Sequence, residues 1–205
     1  MSGVVAVIAG AGAAQEQACR AALAAQEAPV AEILTGPDAL ARAAASDHDR
    51  VWVLEGGAAP RPDALSGLLG LADGALRCGM VVDPAGRPLA FALPSGDTHD
   101  VDAVIALAVE RVLPIRRATL AHPLVPRAAL REHGLPDPRY GAYAGDEWRA
   151  RGAARGGGRF LPASVAVLPA APPAPRAIAP ALRTARTPTW TNGERIAVFA
   201  ALLRP

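Results

Sequence analysis

The sequence predicts an α/β fold, a Rossmann-like and mostly parallel sheet flanked by helices, and two observations carry that expectation. Strand-like and helix-like segments alternate, strand first, from Val4 to Leu71, the pattern of the βαβ units that build parallel sheets. Hydrophobic residues make up 51% of the 205, enough for a sizeable core and too many for a disordered chain.

The first strand is the apolar run Val4–Ile8, stopped by Gly10 and Gly12, and the Ala-rich segment Ala13–Gln26 reads as its crossover helix. Val30–Leu34 is the second strand, Gly36-Pro37-Asp38 a turn, and Asp38–Ala45 a helix. Val51–Leu54 is the third strand, closing on Glu55-Gly56-Gly57, after which Pro60 and Pro62 set up a helix over Asp63–Leu71. Cys78–Val82 and Leu89–Leu93 flank the turn Asp83-Pro84-Ala85-Gly86 and read as a hairpin. Ser95–Asp100 is a polar loop and Val101–Val112 an amphipathic helix. Arg117–Ala121 is a short strand, Arg127–His133 a helix, and Arg159–Leu168 a closing strand interrupted by Pro162. Residues 1–168 thus form the folded domain, and residues 169–205 an appended piece: a Pro/Ala-rich arm, Ala170–Pro180, and a short apolar helix, Gly193–Leu203.

Composition removes several function classes. The net charge of +2 is too small for a nucleic-acid binder. All 21 basic residues are Arg, which excludes a Schiff-base lysine or a P-loop. Cys19 and Cys78 lie far apart and read as small buried hydrophobes, with no disulfide framework or zinc site. His48, His99, His122 and His133 show no ligand spacing and read as surface or loop residues. No charged leader precedes the first strand, and no apolar stretch reaches the roughly 18–20 residues of a spanning helix. A cytoplasmic protein is expected, with the terminal helix docking on the core, pairing with a second copy or touching the inner face of the membrane.

Four places carry candidate chemistry. Asp146 and Glu147 open a short helix after a Gly/Pro-rich turn, with Trp148, Arg149 and Arg151 behind them. A carboxylate at a loop-to-helix junction suits a general base, while the same pair also simply favours a helix N-terminus. Glu55-Gly56-Gly57 falls at the carboxyl end of the third strand, where open α/β sheets bind ligands, or else is a tight turn bearing an exposed acid. Gly10 and Gly12 begin a dinucleotide fingerprint that fails at Gln15, and no acid ends the second strand. Asp97, His99, Asp100 and Asp102 precede a helix, where an N-cap at Asp100 competes with a metal site.

Two of these segments together resemble the nucleotide-sugar-dependent glycosyltransferases of family 2, which have the GT-A fold. Val51–Leu69 is similar to the family's strand ending in a DxD-type motif, a proline-containing loop and a helix. Pro123–Leu168 is similar to its run through the acidic E-D-x-x-x-x-x-R motif to the closing strand, with Arg127, Gly134, Leu135, Asp137, Tyr140, Asp146 and Arg151 on matching positions. The resemblance covers most of residues 3 to 168. The chain departs where the DxD becomes Glu55-Gly56-Gly57, where Thr35-Gly36 replaces a nucleotide-holding Asp, and where Gly145 replaces the first catalytic acid.

The resemblance implies inverting transfer of a sugar from a nucleoside diphosphate sugar to the hydroxyl of a glycan or small-molecule acceptor. Asp146 would be the base. Glu55, Gly56, Gly57 and Arg151 would face the diphosphate, with Mg²⁺ or Mn²⁺ at Glu55 or further guanidiniums (Arg149, Arg155, Arg159) in its stead. Tyr140, Tyr143 and Trp148 would form an acceptor surface. The same departures open the alternative of a catalytically inactive, glycosyltransferase-like binding or assembly module.

Overall fold

A computed structural model of the chain describes residues 3–71, 74–90, 92–94, 113–118, 122–137, 139, 144–145, 148, 151–152 and 157–168. The first half follows the expected alternation: β1 (Val4–Ala9), α1 (Ala13–Ala24), β2 (Glu32–Thr35), α2 (Ala39–Ala45), β3 (Arg50–Glu55), the short β4 (Ala59–Pro60) and α3 (Ala64–Leu69). The second half is mostly strand: β5 (Leu76–Val82), β6 (Pro88–Ala90), β7 (Ala92–Pro94), β8 (Leu113–Ala118), β9 (His122–Pro126), then α4 (Arg127–His133) and β10 (Gly158–Val167). The expected helix over residues 101–112, the Pro/Ala arm and the terminal helix lie outside the described residues, as do Asp97, His99, Asp100, Asp102, Tyr140, Tyr143, Asp146, Glu147, Arg149 and Arg155.

The strands form one sheet in the order β2-β1-β3-β9-β5-β10-β8-β7, with β4 added on β10 and β6 on β5. β1 pairs in parallel with β2 and β3, and β5 with β10, but β9 lies antiparallel between β3 and β5. The sheet is therefore mixed, which corrects the expectation of a mostly parallel one. The missed element is β9, His122-Pro123-Leu124-Val125-Pro126, whose prolines withhold ladder donors and argue against a central strand. Here Pro126 stands at the strand's end, opposite Arg50, and only Pro123 sits within the ladder, opposite Cys78. The hairpin expected around Asp83-Gly86 is present as the antiparallel pair β5–β6.

Alternation along the strands sorts the core into two layers, because successive side chains point to opposite faces. Val5, Val7, Val51 and Val53 face α2 and α4, packing with Ala39, Ala43, Leu130 and Trp148. Val4, Ala6, Ile8, Trp52 and Leu54 face α1 and α3, packing with Cys19, Leu23, Ala64, Leu65 and Leu68. α1 stops at Ala24, short of the expected Gln26, and that side chain has another task. Gln26 accepts from the Leu65 amide (3.0 Å) and donates to the Arg61 carbonyl (2.8 Å), tying the end of α1 to the start of α3. It satisfies an amide of the first turn of α3 that Asp63, at the N-cap, leaves without a side-chain partner.

Candidate functional site

The strand directions place the carboxyl ends of β1, β2, β3, β5 and β10 along one edge of the sheet, since each parallel partner or pair of antiparallel steps preserves direction. Chain order reverses about β1, with β2 on one side and β3 on the other. Such a reversal leaves a crevice at the carboxyl edge, the usual ligand position in open α/β sheets. A cavity of about 350 Å³ lies there, lined by Ile8 and Ala9 at the end of β1, Gly10 and Ala11 just beyond it, Gly36 and Pro37 after β2, and Glu16 of α1.

Glu55 adjoins that cavity through the β-ladder, opposite Ala9. It is half-buried. The two glycines after it make a turn: Gly56 and Gly57 have φ of 62° and 70°, a conformation L side chains rarely adopt. The Gly56 amide donates to the Ala9 carbonyl at 2.7 Å. A Cβ on Gly57 would sit 2.8 Å from the Gln15 Cβ and 2.9 Å from the Ala11 Cβ, so the close approach at this glycine is to the start of α1. Gln15 also accepts from the Gly12 amide at 2.8 Å, fixing the entry to that helix. Among the described residues, no group of three or more His, Cys, Asp or Glu side chains gathers as a metal would require. Asp83, a second carboxylate on the same edge, is taken up by its own turn. The Arg87 amide and guanidinium and the Ala85 amide donate to it, and the Arg87 amide foremost holds its carboxyl below the usual range.

Glu16 was not singled out by any sequence motif. Its Oε1 accepts from Arg20 Nε at 2.9 Å, and Arg20 Nη2 donates in turn to Thr35 Oγ1 at 3.3 Å. The carboxylate at the cavity is thus positioned from α1 and braced against the end of β2. The i, i+4 spacing of Glu16 and Arg20 was the available signal; that Glu16 faces a cavity was not readable.

The basic and aromatic residues of the second motif are spread more widely. Arg159 stands in register with Arg77 and, through Leu124, with Trp52, three residues short of Glu55 and on the far side of β9 and β5. It is not at the carboxyl edge, which corrects its place among the expected diphosphate clamps. Gly152, next to Arg151, lies 3.5 Å (measured to an ideal Cβ) from Leu76 at the start of β5. Arg127 donates to the Ser46 carbonyl and its amide to the Asp49 carbonyl, fastening α4 to the loop before β3 at the opposite edge. Trp148 is a core residue, 4% exposed, with its Nε1 donating to the Gly134 carbonyl at 2.7 Å. It is therefore no part of an acceptor surface, because a buried Trp with a satisfied N–H presents nothing to a sugar.

Beneath the site runs a buried polar network that the sequence did not announce. His122, expected at the surface, is fully buried. Trp52 Nε1 donates to its Nδ1 at 3.2 Å, and its Nε2 lies 3.1 Å from the Ser164 carbonyl. An indole N–H can only donate, so Nδ1 must accept and the proton sits on Nε2, donating to Ser164. The ring is neutral, and burial pushes its pKa down to about 4. Ser164 Oγ donates to the Ala64 carbonyl (2.7 Å), and buried Arg77 donates to the Leu68 carbonyl (2.6 Å), so the same network ties the sheet to α3. Cys19 donates to the Ala58 carbonyl at 3.4 Å, and burial pushes its thiol up to about 12, as suits an inert core thiol.

Compared with known protein families and with curated proteins, the chain matches none. The described residues define an α/β protein with a mixed sheet between helices and a cavity at the carboxyl edge. No helix among them is long and apolar enough to cross a membrane.

Proposed function

We propose that the chain is a glycosyltransferase-like protein of GT-A type that takes a nucleoside diphosphate sugar at the carboxyl edge of its sheet and transfers the sugar to an acceptor hydroxyl with inversion. One observation carries the reading: the cavity lies where strand order reverses, between the ends of β1 and β2, with Glu55 on the neighbouring strand end. The resemblance puts the nucleotide at the end of the second strand, where Gly36 lines this cavity, and the diphosphate toward Glu55.

Asp146 takes the proton from the acceptor hydroxyl as that oxygen forms its bond to the anomeric carbon. The bond from that carbon to the diphosphate breaks, and its electron pair leaves with the diphosphate. Glu55, with water and diphosphate oxygens completing the shell, suits a hard cation such as Mg²⁺, which keeps several waters when few carboxylates are at hand. The resemblance assigns Arg151 to the diphosphate as well, but Gly152 beside it packs on Leu76 at the start of β5, the edge away from the cavity, so this reading gives Arg151 no part in the clamp.

Isothermal calorimetry with UDP-, GDP- and dTDP-sugars, with and without Mn²⁺, is expected to give micromolar binding to at least one donor. The Asp146→Asn variant is then expected to bind that donor as the wild type does and to lose turnover by about 10²-fold or more, the scale of a general base. Turnover kept in Asp146→Asn would remove Asp146 from the role. A specific observation also favours the inactive module: Gly57 is filled by α1 rather than left open to a ligand. Flat titrations with every donor would decide for that module.

A further inference from the structure

Among the described residues, Glu16 is the only titratable side chain lining the cavity, whose other walls are backbone, alanine, isoleucine and proline. Its Oε1 is held by Arg20 at 2.9 Å, and Arg20 is anchored on Thr35 at 3.3 Å, so the carboxylate is oriented before any ligand arrives. Helix position alone would not make it a site; the cavity in front of it does. The space extends to Gly10, where a Cβ would meet no atom within 4 Å.

The chemistry of this wall selects a ligand class. A carboxylate accepts hydrogen bonds and donates none. Its charge is already balanced by the Arg20 guanidinium, so a cationic ligand would find little uncompensated charge, and an anionic one would meet an acid. A neutral group carrying adjacent hydroxyls fits best: one carboxylate takes two O–H donors side by side, and glycine and proline backbone give a flat wall for a ring. We propose that Glu16 accepts the ribose hydroxyls of the bound nucleotide, supplying from α1 the carboxylate that the end of β2 lacks. This rests on the reading of the cavity as a nucleotide site, and makes Glu16 the residue that distinguishes ribose from deoxyribose there.

The test uses the full chain in ¹H–¹⁵N NMR titrations with UDP and GDP and with their 2′,3′-dideoxy counterparts, on wild type, Glu16→Ala and Glu16→Gln. The expected result is movement of the Gly10 and Gly36 amides, with the dideoxy forms binding roughly 10- to 100-fold more weakly to the wild type, as the loss of charge-assisted hydrogen bonds implies. Glu16→Ala is expected to erase that difference, and Glu16→Gln, which keeps an acceptor oxygen without the charge, to shrink it. Equal binding of ribo- and dideoxy forms to the wild type, or an undiminished difference in Glu16→Ala, would overturn the role of Glu16 and leave the nucleotide reading standing. Shifts at Gly56 and Gly57 without any at Gly10 and Gly36 would keep a nucleotide but move it out of this cavity. No shift with any of the probes would overturn both readings together. Unchanged unfolding midpoints of the two variants show that the fold is not what was lost.

Discussion

Gly79 has no room for a side chain. A Cβ there would fall 2.1 Å from Cε1 and Nε2 of His122 and 2.6 Å from the Ser164 carbonyl oxygen. Neither neighbour can give way, because the imidazole is held on both nitrogens and the carbonyl is backbone. Gly79→Ala is expected to cost about 3 kcal/mol or more of stability, by overpacking a site that also carries buried hydrogen bonds. Urea unfolding measures it, and a variant as stable as the wild type would show that β5 and β9 can separate without loss. The same residues show what a sequence withholds. His122 carries no spacing or neighbour in the chain that marks it as buried, since its partners Trp52 and Ser164 are 70 and 42 positions away. Trp148 misleads in the opposite sense: beside Asp146 and among arginines it reads as part of a binding surface, yet its indole fills the space under α4. Cys19 and Cys78 were legible because small apolar surroundings persist in the local sequence.

At the scale of elements, the strands and helices before Leu71 were readable because each is local: a β-branched run, a glycine, an Ala-rich period. Their ends shift by a residue or two, as β2 runs Glu32–Thr35 rather than Val30–Leu34, and Gln26 leaves α1 for α3. β9 and β10 were harder for one shared reason. Proline disguises each strand, yet the sheet accepts both: β9 keeps its register through Pro123, and β10 breaks register at Pro162. In β10, Leu161 pairs with Gly79 and Val165 with Met80, so Pro162, Ala163 and Ser164 bulge out of the ladder. The interruption expected at Pro162 is real, but the strand resumes beyond it. The bulge does more than absorb a proline. It frees the Ser164 carbonyl, which a regular strand would have committed to the ladder, to meet His122, while the Ser164 hydroxyl donates to the Ala64 carbonyl. The irregular strand and the buried histidine are one device: the break at Pro162 is legible in the sequence, but the histidine it serves is not. The site divides likewise: Glu55 at the end of β3 follows from the strand pattern, whereas Glu16 faces the cavity only through the tertiary placement of α1, whose Arg20 reaches Thr35 at the end of β2.

For the whole molecule, β9 is the seam. Among the described residues, the ladder runs from the β1–β3 half of the sheet to the β5–β10 half through it, and His122 at its start touches both, bonding Trp52 on β3 and Ser164 on β10. A proton added to His122 would land on Nδ1, where the Trp52 N–H already points, and would put two donors face to face across the seam. The folded state resists that proton: burial holds the pKa at about 4 against 6.5 for the free side chain. Between those values the unfolded chain binds more protons than the folded one, so stability is full above pH 6.5, falls as pH drops through the interval, and levels off below about 4. The whole effect is about 3 kcal/mol, the free-energy equivalent of holding the ring at about 4 rather than 6.5. Urea midpoints recorded between pH 7 and pH 5, above the range where most carboxylates titrate, are expected to fall with pH in the wild type and much less in His122→Gln. The variant's lower stability at neutral pH does not enter, since the comparison is of slopes. Parallel slopes would mean that the two halves of the sheet are not held together through a neutral imidazole.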